Sequence, residues 1–174
     1  HLINGPVGSI EIMVDVPGSA APSGVVVIGH PQPLLGGSAQ HKVPHFLAKG
    51  FSEAGFVAVR PNFRGVGKTE GTHDAGSGEA DDLLSLIYTI RNEHPELPLH
   101  LVGFSFGAFV TSHVVQAVHA QRPVDKLVLV GTAFPMKVSP ALLESALNEP
   151  EKALHMVNVF SRCSLASPSG AGFW

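Results

Sequence analysis

The chain has 174 residues, 44% hydrophobic and 14% charged, with a formal net charge of −3. That is the length of one domain with ample apolar material for a core, and without a basic run it gives no footing to nucleic acid or a strongly anionic partner. The single Cys163 excludes an internal disulfide and leaves the reducing cytoplasm as the expected location, and no apolar run approaches the ~20 residues of a membrane span. The first residue is His1 rather than Met, which leaves the natural start open, and no signal peptide is visible. Ser9 to Val16 alternates polar and apolar residues up to Pro17, as a half-exposed strand does. Val25-Val26-Val27-Ile28-Gly29 is an unbroken apolar run, the pattern of a strand buried on both faces of a parallel sheet.

His30-Pro31-Gln32-Pro33-Leu34-Leu35-Gly36-Gly37 follows at the carboxyl end of that strand, where open α/β sheets bind ligands. Pro31 and Pro33 carry no N–H, so a backbone donor from this loop must come from Gln32 or Leu34; Gln32 is the expected one. Val43 to Ala54 is helical in pattern, with Phe46, Leu47, Phe51 and Ala54 on one stripe and Gly55 suited to the C-terminal cap. Phe56 to Arg60 is the next strand, ended by Pro61. Gly67-Lys68-Thr69 imitates the end of a phosphate-binding loop, but Asn62 stands where that motif needs its first glycine, and loop-like residues follow instead of a helix. Nucleotide binding is therefore not expected, and Arg64 is expected to tie this loop together by hydrogen bonds. Glu79 to His94 forms a helix, with Ser77 as the expected cap and Leu83, Ile87 and Ile90 on its buried face.

Leu99 to Val102 is a short apolar strand that runs into Gly103-Phe104-Ser105-Phe106-Gly107 and then a helical stretch from Ala108 to Ala120. A Gly-x-Ser-x-Gly turn between a strand and a helix holds its serine proud of the sheet, and the two glycines make room for the sharp turn. The Phe106 amide then lies at a helix N-terminus, where it can donate to a developing oxyanion. Lys126 to Gly131 is a further buried strand, and the alternation of strands and helices so far predicts an α/β parallel sheet. Ser139-Pro140 then opens a helix to about Leu147, Glu149 to Arg162 forms another, and the chain ends in a Gly/Ser/Pro-rich tail with Phe173-Trp174.

His30-Pro-x-Pro, Asn62-Phe-Arg-Gly-x-Gly and Gly-Phe-Ser105-Phe-Gly, in this order, resemble the α/β-hydrolase superfamily, and within it a compact bacterial group of serine hydrolases. The resemblance covers roughly residues 1–134. It implies a three-layer, mostly parallel sheet with flanking helices, a Ser105 nucleophile, oxyanion donors at Phe106 and in the His30–Leu34 loop, and hydrolysis of a small acyl substrate. The superfamily's acid and histidine normally follow two later strands, which are not visible after Val130. Residues 135–174 resemble a helical cap instead, so the chain is expected to lack the last strands, as a fragment, truncation or fusion, and to be weak or inactive by itself.

The ten histidines offer few replacements for the base. His30 is the candidate, because its strand neighbours the serine strand in this superfamily. His73 beside Asp74 is expected to be solvated, His155 to belong to the cap, and His113 and His119 to face away from the chemistry. His41 and His45 have a metal-compatible spacing but no third ligand, so no metal and no cofactor are expected. Phe104, Phe106 and Phe109 suit either an acyl pocket or the core. The competing expectation is a non-catalytic α/β module that binds an acyl compound or a partner. The open edge beyond Lys126 to Val130 also makes homo-oligomerisation an expectation.

Overall fold

The computed structural model describes residues 1–18, 21–118, 123–132 and 140–153. The chain divides into two compact units, His1–Phe134 and Pro135–Trp174. The first unit holds a six-stranded sheet in the order β1-β2-β4-β3-β5-β6. Its strands are β1 (Leu2–Gly5), β2 (Gly8–Asp15), β3 (Gly24–Gly29), β4 (Phe56–Pro61), β5 (Leu99–Phe104) and β6 (Lys126–Val130). The hairpin of β1 and β2 is antiparallel and joins β4 antiparallel, whereas β4, β3, β5 and β6 run parallel. The sheet is thus mostly parallel, as the alternation of elements predicts. Sequence reading misses β1, whose four residues are too few to establish a period.

Successive residues of a strand point to opposite faces, and this parity builds the layers. Val26, Ile28, Ala58 and Val102 face α1 (Lys42–Glu53), packing with Leu47, Ala48 and Phe51. Val25, Val27, Val59, Leu99 and Leu101 face the other way, toward α2 (Ser77–Glu93) and α3 (Phe106–Val118). On that side Leu83, Leu86, Ile87 and Ile90 of α2 meet Val110, Val114 and Val118 of α3 in one cluster that includes Phe63.

Two expectations are corrected. The cap of α2 is Gly76 rather than Ser77: the Glu79 carboxylate accepts from the Gly76 amide at 2.9 Å, the half of a capping box that a third-position glutamate supplies. The strand β6 is not buried. It pairs with β5 alone among the described residues, and Val128 and Leu129 are each 42% exposed. In the second unit, α4 (Pro140–Asn148) begins at the proline as predicted, and Lys152 pairs with Glu149 at 3.2 Å. Most of the helix expected over 149–162, the tail, Cys163, His119 and His155 lie outside the described residues.

Candidate active site

The parallel pairing of β3 with β5, with Gly29 opposite Gly103, brings the carboxyl ends of both strands side by side. There β5 turns into α3 through Ser105. Its φ is 55°, a left-handed value shared among non-glycine described residues only by Ala75 at 50°. Such a backbone costs about 1–3 kcal/mol and persists only where the surroundings impose it. The Ser105 amide donates to the Val130 carbonyl at 2.9 Å, and the Ser105 carbonyl accepts from the Ala108 amide at 3.0 Å in the first turn of α3. A methyl group at Gly103 would overlap backbone atoms of Gly107 and Ala108, and one at Gly107 would overlap the Gly29 carbonyl. Hence only glycine lets strand, turn and helix press together here. Phe106 is the first residue of α3, where amides lack intrahelical acceptors and the helix dipole is positive.

The loop after β3 lies against the same turn, and its first residue, His30, is 0% exposed. The Phe63 amide donates to His30 Nε2 at 2.9 Å, so Nε2 is the acceptor and Nδ1 carries the proton, which it donates to the Pro31 carbonyl at 2.7 Å. Burial pushes the His30 pKa down to about 4, against the raising effect of its bond to Pro31. Both ring nitrogens are committed to backbone groups. His30, the candidate base, therefore has none to offer Ser105 and instead brackets the loops after β3 and β4. Next along the chain, Gln32 heads a 3-10 turn (Pro33–Leu35), and its carbonyl accepts from the amides of Leu35 at 3.1 Å and Gly37 at 3.0 Å. The Gln32 Oε1 is buried without a hydrogen-bond partner among the described residues.

The loop after β4 is a hydrogen-bonded scaffold. Asn62 accepts from the Ala39 amide at 2.8 Å and donates to Glu11 at 2.8 Å, and Glu11 also accepts from the Lys68 amide at 3.0 Å. The backbone bond from Lys68 and the side-chain bond from Asn62 hold the Glu11 carboxyl below its ordinary range. A carboxylate thus occupies the amide of the Gly67-Lys68-Thr69 turn, and the buried Thr69 hydroxyl donates to the Asn62 carbonyl at 2.9 Å. No helix follows until Ser77, so this turn has none of a phosphate cradle's geometry. Arg64 does tie the loop down, through two bonds to Asp82 at 2.8 and 2.7 Å, both side chains buried.

His73 is not solvated: its side chain is 16% exposed, and Nδ1 stands 2.7 Å from the buried Glu79 carboxylate rather than pairing with Asp74. Burial raises the Glu79 pKa, but amide donors, including Asp74 and Gly76, and the nearby His73 outweigh it, so the net shift is downward. The His73 ring lies 5.3 Å from that of Phe106, and the His41 ring stacks at 6.0 Å on Phe104, so histidines border the aromatic residues on both sides of Ser105. The pairing of His73 with Glu79 left no sequence signal beyond the glutamate three residues after Gly76. His113 is exposed, with Nδ1 2.9 Å from the Phe109 carbonyl. His41 accepts from the Val43 amide at 3.4 Å as the cap of α1, and His45 lies 3.5 Å from Arg60.

A strand–serine–helix elbow on a mostly parallel sheet, flanked by the loop that follows β3, defines the class of fold. The alpha/beta hydrolase fold family matches residues 33–161, and the chain belongs to it. The chain is similar to a solved α/β serine hydrolase homologue from Coxiella burnetii, with 38% identity and a TM-score of 0.70 over 78% of this chain and 64% of that one. It is also similar to a lidless α/β serine hydrolase from Xanthomonas campestris, with 28% identity and a TM-score of 0.68 over 92% of this chain and 77% of that one. A monoacylglycerol lipase of Mycolicibacterium smegmatis is 32% identical over 80% of this chain and 50% of its own length. The chain spans about half the length of the curated relatives it matches, 47% and 50%. No described helix is long and apolar enough to cross a membrane.

Proposed function

We propose that the chain is a serine hydrolase acting on small ester-like acyl substrates, with Ser105 as the nucleophile. The observation that carries this reading is the left-handed Ser105 at the first turn of α3, a strained non-glycine conformation held by bonds on both sides. In this mechanism the Ser105 hydroxyl attacks the substrate carbonyl carbon and loses its proton to a base. The Phe106 amide stabilises the oxyanion from the helix end, and the Gln32 amide does so from the loop after β3. The alcohol leaves, and water then releases the acyl group from Ser105. His30 is not assigned the base, since both of its nitrogens are taken. If no base reaches Ser105, as among the described residues, the site retains only an acceleration of about 10³–10⁴ over water from its oxyanion hole and binding. Labelling with a fluorophosphonate probe tests the reading: Ser105 is expected to react slowly and Ser105→Ala not at all. Labelling that survives in the alanine variant would refute it.

A second reading, a non-catalytic α/β module, is favoured by the engagement of His30, His41, His45 and His73 with groups other than Ser105. A folded wild-type protein that the probe leaves unmodified would decide for it. Under either reading, the side of β6 that is unpaired among the described residues suits strand pairing with a second copy.

A further inference from the structure

Phe63, which sequence reading treats only as part of a loop signature, touches both sides of the proposed oxyanion site. Its amide donates to His30 Nε2 at 2.9 Å, and its ring lies 4.3 Å from the His30 ring, tilted 43°. On the other side the ring meets that of Phe106 edge-on, at 5.8 Å and 89°. Its tip reaches the place where β3 passes under the elbow: a methyl group at Gly29 would stand 3.3 Å from Phe63 Cζ and 3.2 Å from the Gly107 Cα. Phe63 is 2% exposed and held on both sides in sequence, by Asn62 bonded to Ala39 and Glu11 and by Arg64 bonded to Asp82.

We propose that Phe63 is a positioning residue that couples the two halves of the oxyanion hole, holding the Gln32 loop through His30 and the Phe106 amide through ring contact. The inference rests on reading Gln32 and Phe106 as the oxyanion donors. The physical need is clear: two amides must converge on one developing charge, yet one belongs to a loop after β3 and the other to α3. Donors aimed at an oxyanion act only when held at about 2.7–3.1 Å from it. A single buried ring in contact with both segments holds their separation constant, because close-packed interiors yield little.

Two variants of Phe63 test this against a core control. Phe63→Leu removes the aromatic edge, and Phe63→Met, of similar volume to leucine but flexible enough to fill the gap, serves should the leucine variant fail to fold. Ile87→Ala makes a cavity in the same cluster from α2, at a residue that belongs to neither loop. Amide hydrogen exchange should quicken together at residues 30–37 and 105–108 in the Phe63 variants, and not in Ile87→Ala. Quickening at only one segment, or equal quickening in Ile87→Ala, overturns the coupling. In a wild type that labels at Ser105, the Phe63 variants should label about 10²-fold more slowly, with probe saturation unchanged. An unaltered labelling rate overturns the proposal while leaving the serine hydrolase reading intact. A wild type that does not label sinks that reading, and hydrogen exchange alone then decides the coupling.

Discussion

On one side of β5, β3 is buried along its whole length, and the loop that follows it is bonded through His30 to the loop after β4. On the other side, β6 leaves Val128 and Leu129 half-exposed and reaches the elbow through one bond, from the Ser105 amide to the Val130 carbonyl. Among the described residues, the serine thus sits between a rigid flank and an open one. Rigidity on the β3 side comes from polar groups paired while buried: Asn62, Arg64, Thr69, Glu79 and Asp82 all lie inside, each with a hydrogen-bond partner. A buried polar group without a partner is costly, so such a network has few alternative arrangements. The β6 side holds no such network among the described residues, and its contribution to the elbow is one carbonyl.

Breaking the rigid flank should have the largest effect. Asp82→Ala strands the buried Arg64 guanidinium, and urea unfolding should show a loss of about 3–5 kcal/mol. A smaller and reversible loosening is expected from pH. The His30 pKa falls from 6.5 in the unfolded chain to about 4 in the fold. The unfolded state therefore binds more protons between those values, and stability falls as pH drops from 6.5 to 4, with no further loss from this group below pH 4. The difference corresponds to about 3 kcal/mol, and His30→Asn should flatten this part of the stability–pH curve. On the open flank, Leu129→Lys should change monomer stability by less than about 0.5 kcal/mol, as exposed positions generally do. Light scattering after size exclusion should show it abolishing any association through the β6 edge. A large stability loss there would mean that the two flanks are alike after all.

Much of the frame was legible because it depends on local order. The valine run at 25–27, the α2 face of Leu83, Ile87 and Ile90, and Gly-x-Ser-x-Gly each announce their element within a few residues. The turn that carries the proposed site was legible for the same reason: Ser105 and Phe106 are adjacent in sequence, and the turn's strain is written in its flanking glycines. The histidines were not legible. His30 is suited to proton transfer by residue type and by its strand's place, and only the Phe63 amide, 33 residues away, shows that its Nε2 is occupied. His73, beside Asp74 in a loop, reads as solvated, yet the chain folds it against Glu79 and Phe106. The exposure of β6 was equally out of reach, since an apolar strand reads the same at the end of a sheet as in its middle.

By itself the sequence determined the order of strands and helices from β2 onward, the place of the serine between β5 and α3, and the glycines that let the turn form, because periodicity and backbone sterics act over a few residues. Only the tertiary structure decided which side chains meet around that serine. That His30 brackets two loops, that Arg64 is buried on Asp82, and that Phe63 lies between His30 and Phe106 all follow from segments brought together by the strand order β4-β3-β5. Those contacts are set by packing and by the need to pair buried polar groups, and both act across distances in sequence that no local pattern records.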